Sequence, residues 1–256
     1  MPQGQNEFPI VPQTRLKFLS TDEMIEVDRL MTDVLRIELM QMMENAGRNL
    51  ARLSVERFLQ TTQLKEVVVL AGTGGNGGGA LVAARRLCQW GVNVKVFTTK
   101  PAEAFMGVPG HQLGILSRLG VEIIEPDDLA IADVDSVPDL ILDGLIGYSL
   151  KGDPRGRAAE LITWANGVDS AILALDTPSG LDVTSGRIGS PAIAADATMT
   201  LALPKQGLVN SAALPLVGEL FLADIGVPDW VYREMGIEQG FGVLFSDSDI
   251  VQVELG

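Results

Sequence analysis

The chain has a single cysteine, Cys88, and a single histidine, His111, in 256 residues. One thiol excludes an internal disulfide, and so few nitrogen and sulfur ligands argue against a zinc centre. Cys88 falls on the apolar side of a predicted helix and reads as a buried structural thiol. His111 follows Pro109-Gly110 near a helix start and reads as a surface or capping residue; a Ser-His-Asp triad built on it is the alternative. Cations are also scarce, 19 Lys and Arg against 33 Asp and Glu, for a net charge of −14. A general nucleic-acid or anionic-membrane surface needs the opposite excess. A phosphate ligand stays open, because backbone amides can hold one. No apolar run approaches the roughly 18 residues of a membrane span. The opening MPQGQNEFPIVPQTRLKF lacks the apolar centre of a signal peptide. The expectation is a soluble cytoplasmic protein without nucleic-acid or membrane partners, one α/β domain over residues 1–256 with an extended arm at 1–18.

What the sequence does have is glycine in one place. Val67–Ala71 is an apolar, β-branched run, then Gly72, Gly74, Gly75, Gly77, Gly78 and Gly79 follow within eight positions, then Ala80–Leu87 repeats small and apolar residues at helical spacing. This is strand, glycine loop, helix. With no Cβ in the way, backbone N–H groups and a helix N-terminus can approach a phosphate.

Upstream, Ser20 and Glu23 form a predicted capping box opening a helix, and a second helix is predicted over Ile37–Leu59 from apolar residues recurring at threes and fours. Its Met43 belongs to core packing, whereas Glu44 and Asn45 are open between structural and functional roles. Downstream, strands are predicted at Val92–Phe97, Val121–Ile124, Asp139–Asp143, Ser170–Asp176, Ala197–Leu203 and Gly218–Ala223. Helices are predicted at Pro109–Leu119 and Arg157–Ala165; Asp127–Ser136 is acidic loop or short helix, and Trp230–Met235 a possible helix in a mixed tail. Continuous apolar strands alternating with helices imply a mainly parallel sheet covered on both faces. In such sheets ligands bind at the carboxyl ends of strands, where Gly72, Asp143 and Asp176 all fall.

The run Gly72–Gly77 satisfies GxGxxG, a weak signal by itself. The second strand ends in Phe97-Thr98-Thr99-Lys100, without the carboxylate that holds the ribose hydroxyls of NAD; this disfavours an NAD dehydrogenase, while Lys100 leaves an NADP enzyme open. Asn76 is the one side chain of the loop that offers a carbonyl oxygen. Asp143 and Asp176 each end a strand, and capping the next turn is as good an account of either alone. Asp176 opens Asp176-Thr177-Pro178-Ser179-Gly180-Leu181-Asp182, a tight turn whose carboxylate, hydroxyl and carbonyls suit a hard monovalent cation or a ribose. In Gly147–Asp153, Ser149 and Lys151 can meet a phosphate, or form an ordinary solvated loop.

Together, Met43-Glu44-Asn45-Ala46-Gly47-Arg48, Ala71–Leu81, Leu142-Asp143-Gly144-Leu145-Ile146-Gly147 and Asp176–Asp182 with Ser185-Gly186 resemble the NAD(P)H-hydrate epimerases, the YjeF amino-terminal domain family. The resemblance implies an α/β fold, a Rossmann-like three-layer αβα sandwich with a mainly parallel sheet and extra N-terminal helices, and a homodimer. It implies interconversion of the R and S forms of hydrated NADH and NADPH, nicotinamide nucleotide repair in which a separate dehydratase acts next, and a bound potassium ion. By motif match Asn76, Asp143 and Ser179 would surround potassium. Gly75, Asn76, Gly77, Gly78, Gly79, the run Gly147, Tyr148, Ser149, Leu150, Lys151, Gly152, Asp153, and Asp176 would hold the substrate. Asp143 is the candidate general acid and base. The family's NNGGDG reads Gly75-Asn76-Gly77-Gly78-Gly79-Ala80 here, so one asparagine and one carboxylate are replaced by glycine. Two alternatives stand beside the epimerase: a non-catalytic nucleotide-binding or scaffold protein of the same fold, and an NADP-dependent oxidoreductase.

Overall fold

A computed structural model of the chain describes residues 8–126, 137–150, 152–237 and 243–256. Among these residues nine strands form one sheet, with β1 (Ile10–Pro12) and β4 (Glu122–Ile124) at its edges, in the order β1-β9-β8-β7-β6-β5-β2-β3-β4. Six of the seven inner strands, β2 (Glu66–Ala71), β3 (Asn93–Thr98), β5 (Leu140–Gly144), β6 (Ala171–Leu175), β7 (Ala197–Leu201) and β8 (Glu219–Ala223), carry largely buried sequences. All strand pairings are parallel except β8 with β9 (Ile250–Glu254).

Side chains alternate between faces, as the period of two requires. Val67, Val69, Leu140, Leu142, Leu173 and Met199 point into the core beneath α2 (Leu39–Leu53), α3 (Gly75–Gln89) and α4 (Gly107–Arg118). Val68, Leu70, Ile141, Ile172 and Ala174 meet Leu161, Ile162 and Ala165 of α5 (Arg157–Gly167) on the opposite face. A further apolar cluster joins Met24, Val27 and Leu30, in and just after α1 (Thr21–Arg29), to Leu203, Leu220, Leu222 and Val251. Helices on both faces of a mainly parallel sheet are the three-layer sandwich expected.

The predicted strands all occur within a residue or two of their expected bounds, β7 stopping at Leu201 rather than Leu203. The Ser20–Glu23 capping box is present. The second helix runs regularly over Leu39–Leu53 and continues as a wider π-type turn through Leu59, where Gln60 turns left-handed at φ 58°. α4 carries His111 exposed on its surface, and Cys88 packs half-buried against the core. A short helix, Asp229–Glu234, stands where Trp230–Met235 was expected. The segment Asp127–Ser136 lies outside the described residues.

Two expectations are corrected. The arm includes a strand, β1 (Ile10–Pro12), which pairs with β9 in a tail read as mixed. An edge of three residues has too little pattern to announce itself, and it forms because the two ends of the chain meet. The glycine loop is also shorter than its composition suggests. α3 begins at Gly75, so only Gly72–Gly74 separate strand from helix. The N-cap Gly74 and four of the first five residues of α3 are glycine, against helix propensity; close tertiary approaches decide the matter, as the next subsection shows.

Candidate active site

From β2 the chain turns outward to β3 and β4, and β5 returns on the other side of β2. The crevice at this switch point lies beyond the carboxyl ends of β2 and β5. Backbone fills its floor. A Cβ on Gly72 would stand 2.0 Å from the Leu145 carbonyl oxygen, and one on Gly77 would stand 1.7 Å from the Gly72 carbonyl oxygen. The N-cap Gly74 supplies no side-chain cap, so amides of the first turn of α3 face an open cavity. That cavity measures about 820 Å³ and is lined by Gly72–Asn76, Leu145–Ser149 and three cations, Lys100, Arg155 and Arg157. In a chain of net charge −14, gathering cations and a helix N-terminus at one opening favours an anionic ligand there.

Beneath the loop after β5 is a cluster of oxygens. Asp143 is fully buried; the Ser179 hydroxyl donates to it at 2.6 Å, the Ser179 amide at 2.8 Å and the Leu145 amide at 3.1 Å. Burial pushes the Asp143 carboxyl up to about 6, and these three neutral donors only partly oppose the rise. The amide nitrogen of Asn76 donates to the Leu175 carbonyl at 2.7 Å, leaving its Oδ1 beside Gly147, where a Cβ would meet it at 2.7 Å. A buried carboxylate whose hydrogen-bond partners are neutral, with the Ser179 hydroxyl on it and the Asn76 oxygen at the loop that follows, is a donor set suited to a hard cation.

A second, smaller cavity of about 100 Å³ opens next to the first and is largely apolar, with Met24, Met42, Met43 and Leu175 on its walls. Two polar pairs line it. Asp176 follows β6 with a left-handed φ of 68°, a conformation uncommon outside glycine and best tolerated by Asn and Asp. Its amide donates to Met199 at 2.7 Å, and its carboxylate accepts from the buried ammonium of Lys205. Lys205 also donates to Thr200 Oγ1 at 3.2 Å and to the Leu201 carbonyl at 2.8 Å. Its backbone is bridged to Leu19, ahead of α1. The second pair is Tyr148, whose hydroxyl donates to Asp28 of α1. Burial raises the Asp28 carboxyl, opposed by the Tyr148 hydrogen bond and by Lys205; burial, then the hydrogen bond to Asp28, raises the Tyr148 hydroxyl.

The predicted residues divide. Gly75 and Asn76 line both cavities, Gly79 and Asp176 the smaller, and Gly147 and Ser149 the larger; Tyr148 lines both. Gly77 and Gly78 lie behind the wall, where α3 packs against the β2 turn and Met43. Leu150, Gly152 and Asp153 line neither cavity, and Asp153 is exposed and paired to Arg187 at 3.0 Å. Lys151 lies outside the described residues. Asp143 meets Ser179 directly, with Asn76 across the loop at Gly147, but it lines neither cavity. Asp143 thus stands behind the cavities with its oxygens accepting from three donors, whereas Asp176, also buried, reaches the wall of the smaller cavity. Glu44 and Asn45 turn out structural: Glu44 pairs with Arg85 and Arg86, and Asn45 donates to the Ile225 carbonyl at 3.2 Å.

Sequence reasoning missed Lys205 and Asp28. Lys205 is the only Lys or Arg between Arg187 and Arg233, an isolation that hints at a buried partner. Asp28 gave no signal, being one acid on an amphipathic helix.

The description YjeF-related protein N-terminus matches residues 39–207. A protein of Dehalogenimonas lykanthroporepellens named NAD(P)H-hydrate epimerase is 43% identical over 215 residues, covering 84% of each chain. A protein of the same name from Truepera radiovictrix is 35% identical over 205 residues, 78% of this chain and 86% of that one. The bifunctional NAD(P)H-hydrate repair enzyme Nnr of Moorella thermoacetica is 36% identical over 211 residues, and the match spans 80% of this chain but 40% of that longer one. Among solved structures, yeast ynu0 superposes with a TM-score of 0.75 at 25% identity, covering 93% of this chain and 100% of that one.

Proposed function

The chain belongs to the family of YjeF-related protein N-termini, and on that premise we propose that it is an NAD(P)H-hydrate epimerase, interconverting the R and S forms of hydrated NADH and NADPH. One observation carries the reading beyond kinship: a cavity built for anionic phosphates leads into a small apolar cavity whose wall holds a buried ion pair, Asp176 with Lys205. The diphosphate of the substrate lies along the amides of α3 and the cations of the larger cavity, and the hydrated ring enters the smaller one.

Inversion requires the hydroxyl on the hydrated ring carbon to leave and return on the other face. A proton from the Asp176–Lys205 pair goes to that hydroxyl. The C–O electrons depart with water while the ring nitrogen's lone pair covers the carbon. Met24, Met42 and Met43 keep the site poor in water, which strengthens each charge interaction inside. Asn76, Asp143 and Ser179 are the residues that would hold potassium, and the ion would supply a positive charge that fixes the buried Asp143 carboxylate and the loop above it. A dehydratase acting on one epimer is the natural complement. The bifunctional name of the Moorella relative, of which this chain spans 40%, supports that pairing. Assembly as a homodimer is the further part of this proposal.

The test is chromatographic. Purified R and S hydrates are mixed with the protein and their exchange is followed. The wild type accelerates exchange, and Asp176→Asn slows it by about 10²-fold or more, the usual contribution of a general acid or base. Exchange no faster than without protein defeats the reading.

A further inference from the structure

Epimerisation makes a demand that Asp176 and Lys205 alone do not meet. A group fixed in one wall serves one face of a bound ring, yet the hydroxyl is removed from one face and restored on the other. The smaller cavity holds a second acid–base pair, Tyr148 with Asp28. The two pairs come from different elements. Asp176 and Lys205 follow β6 and β7, whereas Asp28 stands on α1 and Tyr148 on the loop after β5. They share one electrostatic environment, since Lys205 and Asp176 both act on the Asp28 carboxyl. The Lys205 ammonium is nevertheless committed to Asp176, Thr200 and Leu201. Tyr148 and Asp28 also line the larger cavity, so they stand where the two cavities meet. Asp28 lies outside the matched residues 39–207, and no predicted role accounts for a half-buried carboxyl at this place.

We propose that Tyr148 and Asp28 are the second proton carrier of the epimerase, working on the ring face that Asp176 and Lys205 do not reach. This rests on the epimerase reading above. After water has left the first face, a water molecule adds its oxygen to the ring carbon at the second face and the C–O bond forms. Its proton passes to the Tyr148 oxygen as the tyrosine hydroxyl proton passes to Asp28. The tyrosine ends as it began and Asp28 ends protonated. Burial raises the Asp28 carboxyl and so favours this uptake. The same path run backwards starts from the other epimer, and exchange with solvent resets both pairs. Tyr148 is the group that meets the reacting oxygen; Asp28 is a positioning and proton-accepting residue that acts through it.

The experiment gives the intact enzyme each separated epimer of hydrated NADPH in turn, in water enriched in oxygen-18. It reads inversion by chromatography and label in each epimer by mass spectrometry. Tyr148→Phe keeps the ring and removes only the hydroxyl; Asp28→Asn keeps the shape and removes the acceptor's charge, so either variant decides if the other fails to fold. The expected result is a loss of inversion from both epimers of about 10²-fold or more, with label still entering one of them at close to the wild-type rate, because the first face still opens and recloses, and entering the other slowly. Inversion at the wild-type rate overturns the proposal, as does a fall of labelling in both epimers in step with inversion, which a merely structural role would produce. Failure of the epimerase reading looks different: the wild type itself then inverts neither epimer.

Discussion

Replacing Lys205 with methionine tests the ion pair at the centre of the site. The two side chains are 0% and 4% exposed, so the substitution leaves the Asp176 carboxylate out of water and without its cation. The Leu201 amide, at 3.4 Å, is a weak substitute donor. Removing one partner of a buried pair costs about 3–5 kcal/mol, most of it the stranded charge. For a chain of this size each kcal/mol lowers the melting temperature by about 2–4 °C, so Lys205→Met should melt about 6–20 °C below wild type. The double variant Asp176→Asn with Lys205→Met removes the charge as well, and should recover most of the loss while staying inactive. Thermal melts followed by circular dichroism, on the wild type, both single variants and the double, supply the cycle. A Lys205→Met protein that melts within about 2 °C of wild type would refute the reasoning. So would a double variant as unstable as the lysine variant alone.

Asp143 predicts a pH dependence. Its folded carboxyl releases its proton near pH 6, against an ordinary value of 3.8. Between these values the folded state binds more protons than the unfolded one, so stability falls as pH rises through that window, by about 3 kcal/mol in total. Potassium should offset the cost above pH 6 and do little below pH 4. Melts in potassium and sodium chloride at pH 4 and pH 8 check this, and an ion effect equal at both pH values contradicts it. The glycine turn offers a pair of contrasting substitutions. Gly77→Ala puts a Cβ 1.7 Å from a backbone oxygen, whereas a Cβ at Gly74 meets nothing within 4 Å. The first should destabilise by about 3 kcal/mol or more, the second by no more than about 0.5 kcal/mol; urea unfolding measures both.

Much of this molecule is legible in one dimension because its signals are local. The strands from Val67 onward are continuous apolar runs, and a strand buried on both faces can hardly be written otherwise. The Ser20–Glu23 cap is a contact over three residues and forms as read. Placing Gly72, Asp143 and Asp176 at one end of the sheet needed only the order of elements, since parallel strands send all their carboxyl ends the same way. Glycine composition, in contrast, misled about where α3 begins. Propensity disfavours a glycine-filled first turn, but Gly72, Met43 and Leu175 come so close to Gly77, Gly78 and Gly79 that a Cβ at any of these three would collide.

The sequence by itself determined a mainly parallel α/β sheet, a glycine turn able to receive a phosphate, and two carboxyl residues at the strand ends, Asp143 and Asp176. Only the tertiary structure decided which of them meet. It buried Asp143 under a loop with Ser179 and set Asp176 on a cavity wall. It brought Lys205 to Asp176 and carried Asp28 from the first helix to Tyr148, 120 positions away. The physical reason is that a charge's role depends on what replaces its water. Those replacements come from distant segments, and their spacing along the chain leaves no pattern to read.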